Sequence, residues 1–185
     1  MSFHLFLGWC YFLTYTIIKN VIFIFNQIEK LTIYYLYLGG NYMFGAIIGD
    51  IVGSRFEFDN IKTTEFELFG IGNEFTDDTV CTISFMDWLL NSKERTDQSA
   101  CEYLHRWTNK YPHAGYGGRF KHWVFSNDPQ PYGSFGNGAA MRISSVAWAA
   151  KDLEELESLS NMVTRITHNH PEGLKGALVV ATCIF

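Results

Sequence analysis

The spacing of apolar residues constrains this chain more than any single motif. Cys81, Phe85, Trp88 and Leu89 fall at i, i+4, i+7 and i+8, which lines one face of an α-helix but not one face of a strand, where side chains alternate. Leu153, Leu156, Leu159, Val163 and Ile166 repeat the pattern, as do Ala100, Leu104 and Trp107. No pair of alternating runs joined by a hairpin turn interrupts them. The sequence therefore predicts an all-α domain.

Local signals place the helices. Gly45, Gly49 and Gly53 form a small-residue stripe at spacing four on a first helix, expected to let another backbone approach closely. Thr76 is a good N-cap for a helix running to about Leu90. A third helix is expected from Asp97 to Thr108, with Ser99 and Glu102 at capping-box spacing. Pro171 suits the first turn of a last helix containing Leu174, Ala177, Leu178 and Ala181. Between them, residues 109–138 hold Gly115, Gly117, Gly118, Gly133, Gly136 and Gly138 and three of the four prolines. Long loops inside compact domains are usually functional or disordered, and Tyr111, Tyr116, Phe120, Trp123, Phe125, Tyr132 and Phe135 argue for a binding loop.

Charge and cysteine usage narrow the function. The chain has 185 residues and a net charge of −5, without a Lys/Arg-rich run, which argues against a nucleic acid as a charge-driven partner. Cys10, Cys81, Cys101 and Cys183 form no C-x-x-C pair, so neither a zinc knuckle nor a disulfide framework is indicated. Free thiols fit a cytoplasmic protein. Residues 1–42 are crowded with Phe, Ile, Tyr, Leu, Asn and Lys, and the composition shifts at Met43. Lys19 and Asn20 interrupt the apolar run from Leu5 to Phe25, and a charge near mid-bilayer costs about 2.5–3.5 kcal/mol on insertion scales. We expect a spurious extension here, with a membrane anchor as the rival reading. The other end, Ala-Leu-Val-Val-Ala-Thr-Cys-Ile-Phe, reads as a helix cut in mid-element.

Four segments carry candidate chemistry. In Phe-Thr-Asp-Asp-Thr, residues 75–79, two carboxylates adjoin two hydroxyls. They either complement the dipole at a helix start or offer hard oxygen ligands to a cation such as Mg2+. Glu57, four residues after Gly53, would share the glycine face if the helix continued; it is either a general acid or base or an ion-pair partner of Arg55. Gly-Ser-Phe-Gly-Asn-Gly-Ala-Ala-Met-Arg, residues 133–142, is a glycine-rich turn running into an expected helix, and such turns can bind anions. Thr-His-Asn-His-Pro-Glu-Gly, residues 167–173, is a helix stop and restart; no matching Cys/His set supports zinc.

Together with Gly-Ala-Ile-Ile-Gly-Asp-Ile-Val-Gly-Ser-Arg-Phe-Glu, residues 45–57, these segments resemble, in order, the ADP-ribosylglycohydrolase family. The resemblance covers residues 43–185, as the amino-terminal part of such a domain, and leaves out 1–42. It implies an all-α fold around two Mg2+ ions and removal of ADP-ribose from a modified protein or small-molecule conjugate. By the same resemblance Thr76, Asp77 and Asp78 are metal ligands and Glu57 a catalytic carboxylate beside the scissile bond. Gly115, Gly117 and Gly118 would cradle the diphosphate, while Ser134, Phe135, Gly136, Asn137 and His168 would line the ADP-ribose pocket. Family members complete the metal pair with a later Asp-x-Asp-Thr motif, which this sequence does not contain. The chain by itself is therefore expected to be inactive, with a non-catalytic ADP-ribose or nucleotide binding module as the alternative.

Overall fold

The computed structural model describes residues 41–185. The predicted extension 1–42 thus lies outside the described residues, apart from Asn41 and Tyr42, which open the first helix. The elements are α1 (Asn41–Gly53), a 3-10 turn (Ser54–Phe56), α2 (Asp77–Asn91), α3 (Asp97–Lys110), α4 (Gly118–Val124), a 3-10 helix (Asn137–Arg142), α5 (Ser144–Ala149), α6 (Leu153–Arg165) and α7 (Pro171–Ile184). Among the described residues there is no strand, so the all-α expectation holds.

Helix α2 is the axis of the domain. Its residues Thr79 to Trp88 are all buried, a stronger result than the single apolar face that the sequence predicted. Such a helix needs neighbours on every side. They are α1, α3, α5 and the 3-10 helix, with α6 against α3 and α7, and α7 against α5 and the 3-10 helix. The polar residues on α2 are satisfied internally. Ser84 Oγ donates to the Cys81 carbonyl at 2.7 Å, and Ser145 Oγ to the Thr82 carbonyl at 2.9 Å. Asp87 accepts from Trp107 Nε1 at 2.7 Å, Arg106 at 2.5 Å and Asn91 at 2.7 Å.

This last arrangement separates a buried bond from an exposed one. Asp87→Ala strands the indole N–H of Trp107, which is only 5% exposed, and is expected to lower unfolding free energy in urea by about 1–3 kcal/mol. Arg106, whose side chain is 58% exposed, contributes to the same carboxylate from water. Arg106→Ala should cost no more than about 1 kcal/mol. Equal losses for the two variants would contradict this assignment.

Several local expectations are corrected. At Gly45, Gly49 and Gly53 a Cβ would meet nothing within 4 Å among the described residues, so none of these shows the expected close approach. The packed face of α1 is instead Ile47 and Ile51. The α1 helix does not continue to Glu57; it passes into the 3-10 turn, and Glu57 closes that turn by donating its N–H to the Ser54 carbonyl at 3.3 Å. Arg55 donates to the backbone carbonyl of Glu67, not to Glu57. The capping box of α3 uses Thr96 and Ser99, because Glu102 is taken by Gln98 at 2.8 Å. The loop 109–138 contains α4, and its Tyr116, Phe120 and Trp123 are core residues. The glycine-rich run 133–142 ends in a 3-10 helix, too short and tight to be the expected α-helix.

Candidate functional site

The start of α2 is built by contacts from far along the chain. Thr76 caps the helix, its Oγ1 accepting from the Asp78 N–H at 3.3 Å. Asp50, on α1, then takes four donors: Thr76 N at 2.8 Å, Thr76 Oγ1 at 2.6 Å, Thr79 N at 3.2 Å and Thr79 Oγ1 at 2.5 Å. An acceptor carboxylate at a helix N-terminus satisfies orphan N–H groups and favours the dipole. Asn73 strengthens the junction by donating to the Ile51 carbonyl at 2.7 Å, and Glu74 N–H donates to Ser54 Oγ at 3.1 Å. The geometry fixes where Thr76, Asp77 and Asp78 point, and it assigns the threonine hydroxyls to Asp50.

Asp77 and Asp78 are half-buried and, among the described residues, form no ion pair with a basic side chain. The Asp77 carboxyl is pushed up from 3.8 to about 6, chiefly by burial, then by the charges of Asp78, Glu57 and Asp50. Asp78 is also raised, by burial and by Asp50 and Glu57, against the hydrogen bond from Thr76. No positive charge is among the causes in either case. Glu57 is exposed, yet close enough to act on both aspartates. Gly115 joins this end of the site: a Cβ there would lie 3.9 Å from Asp77 Oδ1, and its φ of 92° suits glycine. The edge-to-face pair Phe75–Tyr111, with ring centroids 5.6 Å apart, holds that loop against the helix start.

The chemistry of this donor set fits a hard divalent cation. Oxygen is the donor type here, Asp78 Oδ2 lies 3.5 Å from Thr76 Oγ1, and among the described residues no cationic side chain offsets the accumulated negative charge. No three described His, Cys, Asp or Glu side chains converge tightly enough to enclose a metal.

A second cluster involves the 133–138 run and His168. Gly133, with φ of 62°, donates its N–H to Asn169 Oδ1 at 2.7 Å. Ser134 Oγ accepts from Gly136 N–H at 3.3 Å, while Gly136, Asn137 and Phe135 are exposed, Phe135 to 69%. His168 is buried behind them, its ring 5.9 Å from that of Tyr132. Its imidazole is held down to about 3 by burial first, then by Arg142 and Arg119, so the ring is neutral. Gly117 and Gly118 open α4 and face free space. A cleft of about 490 Å³ beside them, lined by Arg119, His122, Trp123 and Tyr132 among others, shares only Gly118 with the predicted site residues.

Gly173 locks this cluster together. A Cβ there would sit 2.7 Å from the Ser134 carbonyl oxygen and 3.2 Å from His168 Cβ, and backbone cannot swing away as a flexible side chain can. Gly173→Ala should therefore cost about 1–3 kcal/mol in chemical denaturation. An alanine variant as stable as the parent would show that the two segments are not held in this contact.

Two contributors carried no assigned role in the sequence reading. Asp50 lies in the Gly-Asp-Ile-Val-Gly segment, but a separation of 26 residues from Thr76 leaves no local spacing to read. Arg142 closes the Ala-Ala-Met-Arg run and is 1% exposed; nothing in that run distinguishes a buried arginine from a surface one. Cys81, also fully buried, is pushed up to about 12 by its burial, which makes it an inert thiol.

The described residues form an all-helical domain, the fold class that the segment order implied. A family model described as ADP-ribosylglycohydrolase matches residues 40–185, and the chain belongs to that family. It is 27% identical over 169 residues to "ADP-ribosylhydrolase ARH3" of Xenopus tropicalis, covering 77% of this chain and 48% of that protein. It is likewise 27% identical over 173 residues to the Homo sapiens protein of the same name, covering 76% of this chain and 47% of the relative. The chain spans about half the length of the curated relatives it matches.

Proposed function

We propose that this chain belongs to a hydrolase that removes ADP-ribose from a modified protein or small-molecule conjugate by Mg2+-dependent cleavage of the glycosidic bond. The observation that carries the reading is the start of α2, where Asp50 holds Thr76 and Thr79 beside two half-buried aspartates that form no ion pair among the described residues. Family membership and the ARH3 relatives supply the substrate class. Thr76, Asp77 and Asp78 would hold Mg2+, which, when bound, lowers the pKa of water and orients ribose hydroxyls. Glu57, exposed beside the aspartates, would accept the proton of the attacking water. The backbone at Gly115, Gly117 and Gly118 would receive the diphosphate, and the exposed ring of Phe135 would stack on adenine. Ser134, Gly136, Asn137 and His168 would line the rest of the pocket. We place the protein in the cytoplasm, on the free thiols of Cys81, Cys101 and Cys183. No helix among the described residues is long and apolar enough to cross a membrane.

A second reading, binding without turnover by this chain alone, is favoured by one observation. Its sequence holds no Asp-x-Asp-Thr to complete a second metal position. Both readings are tested by offering an ADP-ribosylated protein to the chain with Mg2+, measuring free ADP-ribose released, and measuring ADP-ribose binding in parallel. Binding without release supports the second reading and release supports the first. A folded chain that neither binds nor releases ADP-ribose contradicts both.

A further inference from the structure

Arg142 is fully buried, and among the described residues it belongs to no ion pair. A buried charge without a counter-ion is costly. Its guanidinium is partly compensated by the rings of Phe85 and Phe120, with centroids 5.1 and 5.9 Å away. One guanidinium nitrogen donates to the Val163 carbonyl at 3.0 Å and to Thr167 Oγ1 at 2.6 Å, while Nε has no partner. The strongest of these bonds thus ends on a hydroxyl, and that hydroxyl lies 2.8 Å from His168 Nδ1.

The direction of the proton follows from what else is in reach. Thr167 Oγ1 accepts from Arg142, so its own hydrogen must point elsewhere. Apart from Nδ1, the acceptor within reach is the Thr164 carbonyl, but at 3.4 Å it is beyond the usual O–H···O range. That carbonyl already receives the N–H groups of Thr167 at 3.2 Å and His168 at 2.8 Å. The hydroxyl proton therefore goes to Nδ1. A neutral imidazole that accepts at Nδ1 carries its hydrogen on Nε2. The Nε2 edge faces Gly138, where a Cβ would lie 3.2 Å away, and it makes no hydrogen bond among the described residues.

We propose that Arg142 and Thr167 are positioning residues that fix His168 in its Nε2–H tautomer, presenting a hydrogen-bond donor to an oxygen of a ligand lying along residues 134–138. The ligand class rests on the ADP-ribose reading above; the tautomer does not. Absence of a side chain at Gly138 keeps the Nε2 edge clear, and the neutral ring imposes a donor rather than a charge. A hydroxyl or phosphate oxygen would be accepted there, whereas a group that can only donate would be refused.

The test uses the 185-residue chain isotopically labelled at its histidine ring nitrogens, with the His168 signals assigned by loss in His168→Gln. Long-range proton–nitrogen correlation at neutral pH is expected to show Nδ1 unprotonated and Nε2 protonated. Thr167→Val, which keeps the shape and removes the hydroxyl, should mix the two tautomers, and Thr167→Ser should restore the single form. With ADP-ribose, Thr167→Val should weaken the Kd at least about ten-fold and Thr167→Ser should recover it to within about two-fold. A wild-type ring protonated on Nδ1 overturns the proposal without any variant needing to fold. So does a Thr167→Val protein that keeps the Nε2–H form. If ADP-ribose binds by calorimetry but leaves His168 unshifted, Nε2 is not a donor to that ligand and the proposal is overturned while the ADP-ribose reading stands; if ADP-ribose does not bind a folded chain at all, it is the ADP-ribose reading that fails.

Discussion

Replacing Asp50 by alanine is expected to produce the largest single loss of stability at the site and to remove its response to Mg2+. The carboxylate accepts from two backbone N–H groups and two threonine hydroxyls at distances from 2.5 to 3.2 Å. Charge-assisted bonds are worth more than neutral ones, and each buried donor left unpaired costs about 1–3 kcal/mol. Part of this is offset, because Asp50 also repels Asp77 and Asp78. A net loss of roughly 2–4 kcal/mol in urea denaturation is the expected outcome. Asp50→Asn keeps acceptor capacity and should lose about half as much. The alanine variant losing no stability would mean that α1 does not organise the start of α2.

The second large effect is the antagonism of protons and Mg2+ at Asp77. Its folded pKa of about 6 lies above the ordinary value of 3.8, so between those values the folded state binds more protons than the unfolded one. Stability from this group therefore falls as pH rises through about 6 and is recovered as pH falls towards 3.8. Allowing for the carboxyl's partial exposure, the swing amounts to about 1–2 kcal/mol. His168 acts in the opposite sense. Its folded pKa of about 3 is below the ordinary 6.5, so its contribution is lost as pH falls from 6.5 towards 3. Asp77→Asn should weaken the first trend, leaving only the part that the raised Asp78 carries, and leave the second. Mg2+ must displace the Asp77 proton to bind. Thermal stabilisation by Mg2+ is therefore expected above pH of about 6 and should fade below it. Stabilisation by Mg2+ that is equal on both sides of that value would contradict ligation by Asp77.

Much of this architecture was legible because helices are local. Thr76, Pro171 and the apolar spacing from Cys81 to Leu89 each act within a few residues, and the structure has α2 and α7 where those signals put them. The burial of α2 on all sides was not legible, since the polar Thr82, Ser84 and Asp87 look like a solvent face until their partners are known: the Met141 carbonyl, the Cys81 carbonyl and Trp107 of α3. The glycine stripe is a related case: small residues permit a close approach without requiring one, and among the described residues α1 packs through Ile47 and Ile51 instead. At the site, Asp77 and Asp78 were readable as a charged pair in a first turn. Their anchoring by Asp50 and the seating of His168 on Arg142 through Thr167 depend on contacts of 25 to 29 residues' separation, which no local pattern encodes.

The central claim is that the Asp50-anchored start of α2 is a cation site serving an ADP-ribose pocket. Calorimetric titration of ADP-ribose into the chain, with Mg2+ and with a chelator, tests it most directly. Saturable binding tightened by Mg2+ in the parent chain and indifferent to Mg2+ in Asp77→Asn is the expected result. An ADP-ribose affinity that is the same with Mg2+ and with chelator in the parent chain would contradict it.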